Sequence, residues 1–436
     1  MLHDQLPCAG CGLVCDDLCL NLPGAGGVPV TTTCGRAATF YREAWVSATQ
    51  AMPLVDGASS DWPTAIGLAR QILDISSRLW VTGLEVDAGT MRAALLLAEQ
   101  RGATVLPDSV HSTDQLNLAR QSAGWVGTTF SEARKRADCV IVLGSEIWDA
   151  LPRFSERLLT VDSSGRLAPA HRHVFTVTSD ARISDSVGGQ LQRLGCYHHP
   201  IEHAEECLAD ALAELRFAFS KPTTGTISGG WLALAKQLQR SDYPVFIWEE
   251  GELSRRAGLA AILQLAGLVA DLQLNRRAAL LPCSASTGPG TAALVAQWTS
   301  GLRPPFLYSP GGPSLLTTDD QKWEPRSAGD AEIWLQTVGE RRIPMETAAA
   351  RIIVSPYPPP VRMSPREIYL PCSQPGIDGN GVVTRSDGSA ALRLTSLRPS
   401  ERRPASQLID ELSVRTAERP TISIVGQQKR EKGKDA

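Results

Sequence analysis

Cys139-Val140-Ile141-Val142-Leu143 is a run of five apolar residues, three of them β-branched. It is entered from the polar Arg136-Ala137-Asp138 and left through Gly144-Ser145-Glu146. A short, unbroken apolar run ended by glycine predicts a strand buried on both faces, whereas a strand with one wet face would alternate apolar and polar residues. Burial on both faces is the signature of a parallel sheet covered by helices, and the flanking sequence repeats that unit. Upstream, Asp61 is a helix cap with Pro63 in the first turn and an apolar face of Ile66, Ala69, Ile72 and Leu73. Leu79 to Thr82 reads as the next strand, residues 87–101 as an amphipathic helix closed by Gly102, and Thr104 to Leu106 as another strand. Downstream the motif restarts at Val245 to Trp248, with a helix at about 256–271 and a strand at about 278–282. The fold class is therefore α/β, with doubly wound parallel-sheet units, either two in series or one interrupted by the other.

Two flanking regions differ in composition. Residues 1–52 are turn-rich and cysteine-rich, with Gly24, Gly26 and Gly27 breaking the middle, and read as a small lobe. The Rossmann-like body is expected over 53–345 and a β-rich C-terminal region over 346–428. There prolines gather at Pro356, Pro358, Pro359 and Pro360, followed by a strand at Ile368 to Leu370 and a hairpin-like stretch at Gly379 to Leu394. Residues 429–436 form a charged tail that reads as disordered.

The charge balance narrows the partners. Formal net charge is −3, with 43% hydrophobic and 20% charged residues, which gives no electrostatic reason to expect nucleic acid or an anionic membrane. No apolar run approaches the roughly 18–20 residues that cross a bilayer. Met1 to Cys8 holds His3, Asp4 and Gln5 where a secretory signal needs a basic patch and an apolar core. These readings predict a cytoplasmic protein whose thiols stay reduced.

Four of the ten cysteines fall within the first 19 residues. Cys8, Cys11, Cys15 and Cys34 give the spacing C-x2-C-x3-C-x18-C. Thiolates two and three residues apart in a tight loop converge on one point, as a tetrahedral zinc or a cubane iron–sulfur cluster requires, and a fourth from a later turn closes the site. Zinc ribbons usually repeat C-x2-C, which favours the cluster; four thiols that keep the shape without a metal are the alternative. Cys19 fits neither scheme and reads as a strand residue. Cys139, Cys196, Cys207, Cys283 and Cys372 are scattered and read as core or surface residues.

The run Cys8-Ala9-Gly10-Cys11-Gly12-Leu13-Val14-Cys15-Asp16-Asp17-Leu18 resembles the opening of the B subunits of formylmethanofuran dehydrogenases. Thr33-Cys34-Gly35-Arg36-Ala37-Ala38 resembles the stretch that carries their fourth cluster ligand. The likeness continues at Arg136 to Gly144, at Pro152-Arg153, and at Thr384-Arg385-Ser386-Asp387-Gly388, so it spans nearly the whole chain. The resemblance implies a [4Fe–4S] cluster on Cys8, Cys11, Cys15 and Cys34. In catalytic members it also implies a bis-pterin tungsten or molybdenum centre with a cysteine or selenocysteine ligand, followed by histidine.

Three departures bear on that chemistry. The segment where the metal ligand should lie, Pro107 to Gln121, contains His111, Ser112 and Thr113 but no cysteine, and none occurs between Cys34 and Cys139. The turn after the middle strand reads Gly144-Ser145-Glu146-Ile147, where the wider superfamily has Gly-x-Asn-Pro; a carboxylate beside a pyrophosphate is repelled unless compensated. Pro282-Cys283-Ser284-Ala285-Ser286 lacks an arginine that the family places near its active site. This pattern resembles the B subunit of the bacterial formyltransferase/hydrolase complex, in tetrahydromethanopterin- and methanofuran-linked one-carbon oxidation to formate. The expectation is a structural subunit without catalytic residues or tungsto-/molybdopterin, whose partners are the other subunits of that complex. Two alternatives stay open: a redox-active B subunit with Ser112 or water on the metal, and an unrelated α/β protein with an N-terminal metal-binding module.

Overall fold

The computed structural model describes residues 2–22, 27, 29–31, 34–47, 52–107, 110–160, 169, 171–220, 227, 229–316, 329–347, 349–359 and 363–414. Within them the chain is α/β, and one sheet-based unit is inserted into another. The strand Cys139–Leu143 lies at the centre of a five-stranded parallel sheet. It pairs with Pro244–Glu249 on one side and Arg172–Thr178 on the other. Ala279–Cys283 and Cys196–Glu202 form the edges. All five of its residues are buried, as the apolar run requires.

A nine-stranded mixed sheet is assembled from sequence on both sides of that insertion. Arg78–Glu85 pairs in parallel with the central strand Asp330–Gln336, which lies some 250 residues downstream and pairs in turn with Ala350–Ser355. Glu367–Pro371 extends the parallel run, and the hairpins Leu54–Val55/Ala58–Ser59 and Phe306–Ser309/Gly312–Leu315 supply antiparallel edges. The strands at 350–355 and 367–371, expected in a separate C-terminal region, thus lie inside the body sheet. Proline density hid this, because Pro356 and Pro358 occupy the connection after a strand rather than a strand. Gly381–Thr384 and Ala391–Leu394 form the expected hairpin, followed by the helix Ala405–Ser413. The tail at 429–436 lies outside the described residues.

Local signals act where they were read. The Asp61 side chain accepts the backbone N–H of Thr64 at 2.9 Å, starting the helix Trp62–Ile75 with Pro63 in its first turn. Gly102 takes a left-handed conformation and ends the helix Ala88–Arg101. No single helix among the described residues is long and apolar enough to cross a membrane. The bent pair Glu250–Arg256 and Gly258–Gln273 has the length and composition, but Ile262, Leu265, Leu268 and Val269 of its longer helix are core residues.

Candidate functional site

The loop Cys8–Cys15 is a tight turn closed by its own backbone. The Cys8 N–H donates to the Cys15 carbonyl at 2.7 Å, the Val14 N–H donates to the Cys11 carbonyl at 3.1 Å, and Val14 takes a positive φ of 42°. Cys34 stands at the start of the helix Gly35–Ser47, where the Ala37 N–H points at its Sγ from 3.4 Å. Cys8 Sγ accepts the Gly10 N–H at 3.4 Å. The four thiols line one cavity together with Arg36 and Arg153. The four cysteines expected to share a site therefore line the same cavity.

Electrostatics connect them. Burial pushes the Cys8 thiol far up, with repulsion from Cys11, Cys15 and Cys34 adding to it. Burial likewise drives Cys11 up to about 12, against the backbone N–H of Leu13 and the charge of Arg36. Cys15 is raised by burial and opposed by Arg157 and Arg153. Three arginines thus face the thiols, each held in place. Arg36 donates to the carbonyls of Gly10 at 3.0 Å and Ala150 at 2.9 Å. Arg153 clamps Asp17 with two bonds, 2.7 and 2.8 Å, and Arg157 pairs with Asp17 and Asp16. Among the described residues no three His, Cys, Asp or Glu side chains stand as a single metal ion would need. As placed, the thiols ring a space rather than close on one point.

The cysteine loop is docked on the rest of the fold. Gly12 donates to the Ala285 carbonyl at 3.2 Å and accepts the Ser386 N–H at 2.9 Å. A Cβ on Gly12 would fall 2.0 Å from the Ser284 carbonyl oxygen, so only glycine lets the backbones approach this closely. The Pro282–Ser286 stretch that lacks an arginine is thus the shelf on which the loop sits. Ser286 Oγ donates to the buried Glu85, which also accepts the Gly288 N–H at 3.1 Å and pairs with Arg342 at 2.9 Å.

The turn after Cys139–Leu143 carries a carboxylate, but not the one the sequence singled out. Glu146 faces outward, with Arg255 at 2.6 Å and Arg256 at 3.8 Å. Glu252 fills the turn instead: its carboxylate accepts the backbone N–H groups of Ser145 and Glu146, each at 2.8 Å, and the Ser145 hydroxyl at 3.2 Å. The side chain is buried, and a Cβ on Gly144 would lie 2.4 Å from its Oε2. Backbone N–H groups at such a turn are the ones that receive a phosphate in nucleotide-binding α/β folds. Here the protein's own carboxylate takes them. His111, Ser112 and Thr113 fall in the first turns of the helix Val110–Ala123, and their side chains lie outside the described residues. Cys19 sits exposed in the strand Leu18–Asn21, as expected. Cys139, Cys196, Cys283 and Cys372 are buried and Cys207 is exposed.

A second cavity of about 290 Å³ lies beside the carboxyl ends of strands from both sheets, with Arg120, Glu250 and Arg303 among its lining residues. Sequence reading missed these three. They are isolated charges with no motif, and their only signal is a charge next to an apolar stretch.

Together these features define a doubly wound α/β protein with a loop of three buried thiols, joined by Cys34, seated against its body and a nucleotide-type turn closed by a carboxylate. No family model matches the chain. It is 27% identical over 290 residues to the B subunit of the formyltransferase/hydrolase complex Fhc of Methylorubrum extorquens, covering 65% of this chain and 74% of that protein. The same complex, FhcABCD from Methylorubrum extorquens solved with methylofuran, contains a chain with this fold: TM-score 0.68, 22% identity, covering 83% of this chain and 97% of that one. The chain is a relative of the B subunit of the formyltransferase/hydrolase complex.

Proposed function

We propose that this chain is a non-catalytic structural subunit of a formyltransferase/hydrolase complex in methanofuran-linked one-carbon oxidation, working in the cytoplasm beside the subunits that carry the chemistry. The relationship to the Fhc B subunit supports the assembly. The observation that carries the non-catalytic reading is the Glu252 carboxylate bonded to the Ser145 and Glu146 N–H groups, where a pterin dinucleotide would need its phosphate held. A phosphate brought there would meet a buried negative charge with no donor left to receive it. This arrangement supports a chain that carries no tungsten or molybdenum pterin.

The donor set at the thiol site supports an iron–sulfur cluster. Four cysteines ring one cavity, N–H groups aim at the sulfurs of Cys8 and Cys34, and Arg36, Arg153 and Arg157 offset negative charge. Hydrogen bonds to sulfur and nearby charge are the means by which proteins hold and tune such clusters. Cys8, Cys11, Cys15 and Cys34 would hold a [4Fe–4S] cluster, which would cross-link the N-terminal lobe. The chain's own part is to present the loop on the Ser284–Ser286 shelf and to keep water from the sulfurs.

The test is anaerobic purification of a tagged chain from its own host, with elemental analysis and identification of what copurifies. The expected result is iron near four atoms per chain, no molybdenum or tungsten, copurifying hydrolase and formyltransferase subunits, and no formate-dependent reduction of a viologen dye. Stoichiometric tungsten or molybdenum, or dye reduction abolished by Ser112→Ala, would overturn the non-catalytic reading.

A further inference from the structure

The cavity of about 290 Å³ gathers residues from distant parts of the chain: the helix Val110–Ala123, the loop after it, the helix Glu250–Arg256, the strand Ala279–Cys283, the segment Arg303-Pro304 and the loop Ser386–Gly388. It opens by the carboxyl ends of strands, where ligands sit in open α/β sheets. Its walls are largely apolar, including Leu84, Leu116 and Leu280, and its charges are few. A mostly apolar pocket with a small set of convergent charges is the usual form of a small-molecule site.

Those charges are unbalanced. Arg120 lies over the Trp125 ring, its guanidinium carbon 5.0 Å from the centroid, and Arg303 donates from Nε to the Gln297 side chain at 2.9 Å. Neither arginine is ion-paired among the described residues, and Glu250, the carboxylate whose charge both feel, has no hydrogen bond or ion pair there. Asp387, also on the wall, is already bonded to Arg385 and to the Phe130 N–H. Two guanidinium groups against one open carboxylate leave one net positive charge facing an apolar space. Burial opposes charge on all three: it raises Glu250 and lowers Arg120 and Arg303, the last to about 10. An arrangement costly when empty is stabilised by a bound counter-charge.

We propose that this cavity binds a small organic monocarboxylate, its carboxylate received by Arg120 and Arg303, its apolar body against Leu116 and Trp125, and a hydrogen-bond donor on it received by Glu250. One negative charge neutralises the site, whereas a phosphate dianion would overshoot it beside Glu250. The paired N–H groups of arginine match the two oxygens of a carboxylate. Formate alone would leave most of the space unfilled, so the ligand carries an apolar body. The inference concerns this cavity only and stands apart from the assembly role and the thiol site.

The test uses the full chain with 4-hydroxybenzoate, benzoate, formate and inorganic phosphate as probes, read by titration calorimetry and by tryptophan fluorescence. The expected order is 4-hydroxybenzoate tightest, benzoate next, and formate and phosphate at least tenfold weaker. Arg303→Gln should weaken 4-hydroxybenzoate at least tenfold, while Glu250→Gln should reduce its advantage over benzoate. Trp125→Phe should remove the fluorescence change while heat is still measured, which locates the ligand without requiring the arginine variant to fold. No binding of either benzoate at millimolar concentration, phosphate binding as tight as benzoate, or a fluorescence change that survives in Trp125→Phe would overturn the proposal.

Discussion

Glu252 accepts the backbone N–H of Ser145 at 2.8 Å across 107 residues of sequence, joining the helix Glu250–Arg256 to the turn that ends the central strand of the five-stranded sheet. With the matching bond to the Glu146 N–H, one carboxylate satisfies two donors that the strand end leaves open. Removing it strands both donors and leaves a void. Glu252→Ala should therefore lower stability by about 2–4 kcal/mol, because charged hydrogen bonds contribute roughly 1.5–3 kcal/mol each and strand ends rehydrate only in part. Glu252→Gln, which keeps one acceptor oxygen, should cost about half as much. Urea denaturation checks both, and an alanine variant within about 0.5 kcal/mol of the parent would mean the turn is satisfied by water.

The thiol site separates from the other cysteines by substitution. Cys11→Ala should lose most of the iron from anaerobically purified protein, whereas Cys19→Ala, in an exposed strand position, should keep it. Gly12→Ala should lose iron as well, although it touches no sulfur, because its Cβ would drive the loop off the Ser284 carbonyl. Visible absorbance and iron content give the answer. Full iron in Gly12→Ala would show that the loop does not need its shelf.

Arg351 is the core cation of the nine-stranded sheet. It pairs with Glu332 at 2.7 Å and Glu367 at 3.1 Å, and all three side chains are under 8% exposed. Arg351→Ala would leave two buried carboxylates facing each other, which should cost about 3–5 kcal/mol, the usual penalty for breaking a buried ion pair from one side. Replacing all three with apolar residues of similar size should recover most of that. The two variants' urea midpoints distinguish an uncompensated charge from lost packing.

Acid should act through histidines on the edge strand Cys196–Glu202 of the five-stranded sheet and on its neighbour Arg172–Thr178. His173, His198 and His199 are all lowered below the usual value of 6.5, chiefly by burial, and His173 Nδ1 lies 3.0 Å from His199 Nε2. For a base depressed in the folded state, the unfolded chain takes up the proton first as pH falls. The stability from keeping these rings neutral is therefore complete above about 6.5 and is lost as pH drops through their lower folded values. The urea midpoint should fall between pH 7.5 and 5, and less steeply in the His173→Gln/His199→Gln double variant. An equal slope in that variant would assign the loss to other groups.

Reading the sequence worked where one segment carries its own instructions. The run Cys139–Leu143 specifies a doubly covered strand because five apolar side chains cannot face water on either side, and Asp61 and Gly102 mark helix ends through a short-range hydrogen bond and a left-handed backbone. The cysteine loop was legible for the same reason, since the spacing of Cys8, Cys11 and Cys15 puts three thiols on one turn; Cys34 lines the same cavity from the start of the next helix. Asp330–Gln336 was not legible. Its Asp330 and Glu332 interrupt the apolar pattern of a fully buried strand, and partners from elsewhere in the chain, among them Ser77, Arg78, Thr82 and Arg351, make those acids tolerable inside a sheet.

By itself, then, the sequence determined what local forces settle: the α/β class, the strand that anchors it, the helix caps and the thiol loop. Tertiary structure alone decided that the second unit is inserted between strands of the first, that Glu252 rather than Glu146 occupies the turn, and that Arg120, Glu250 and Arg303 share one cavity. The physical reason is range. A hydrogen-bonded cap or an apolar run is fixed within a few residues, but the partner of a buried charge is fixed only when the chain has folded and the space around it has closed to water.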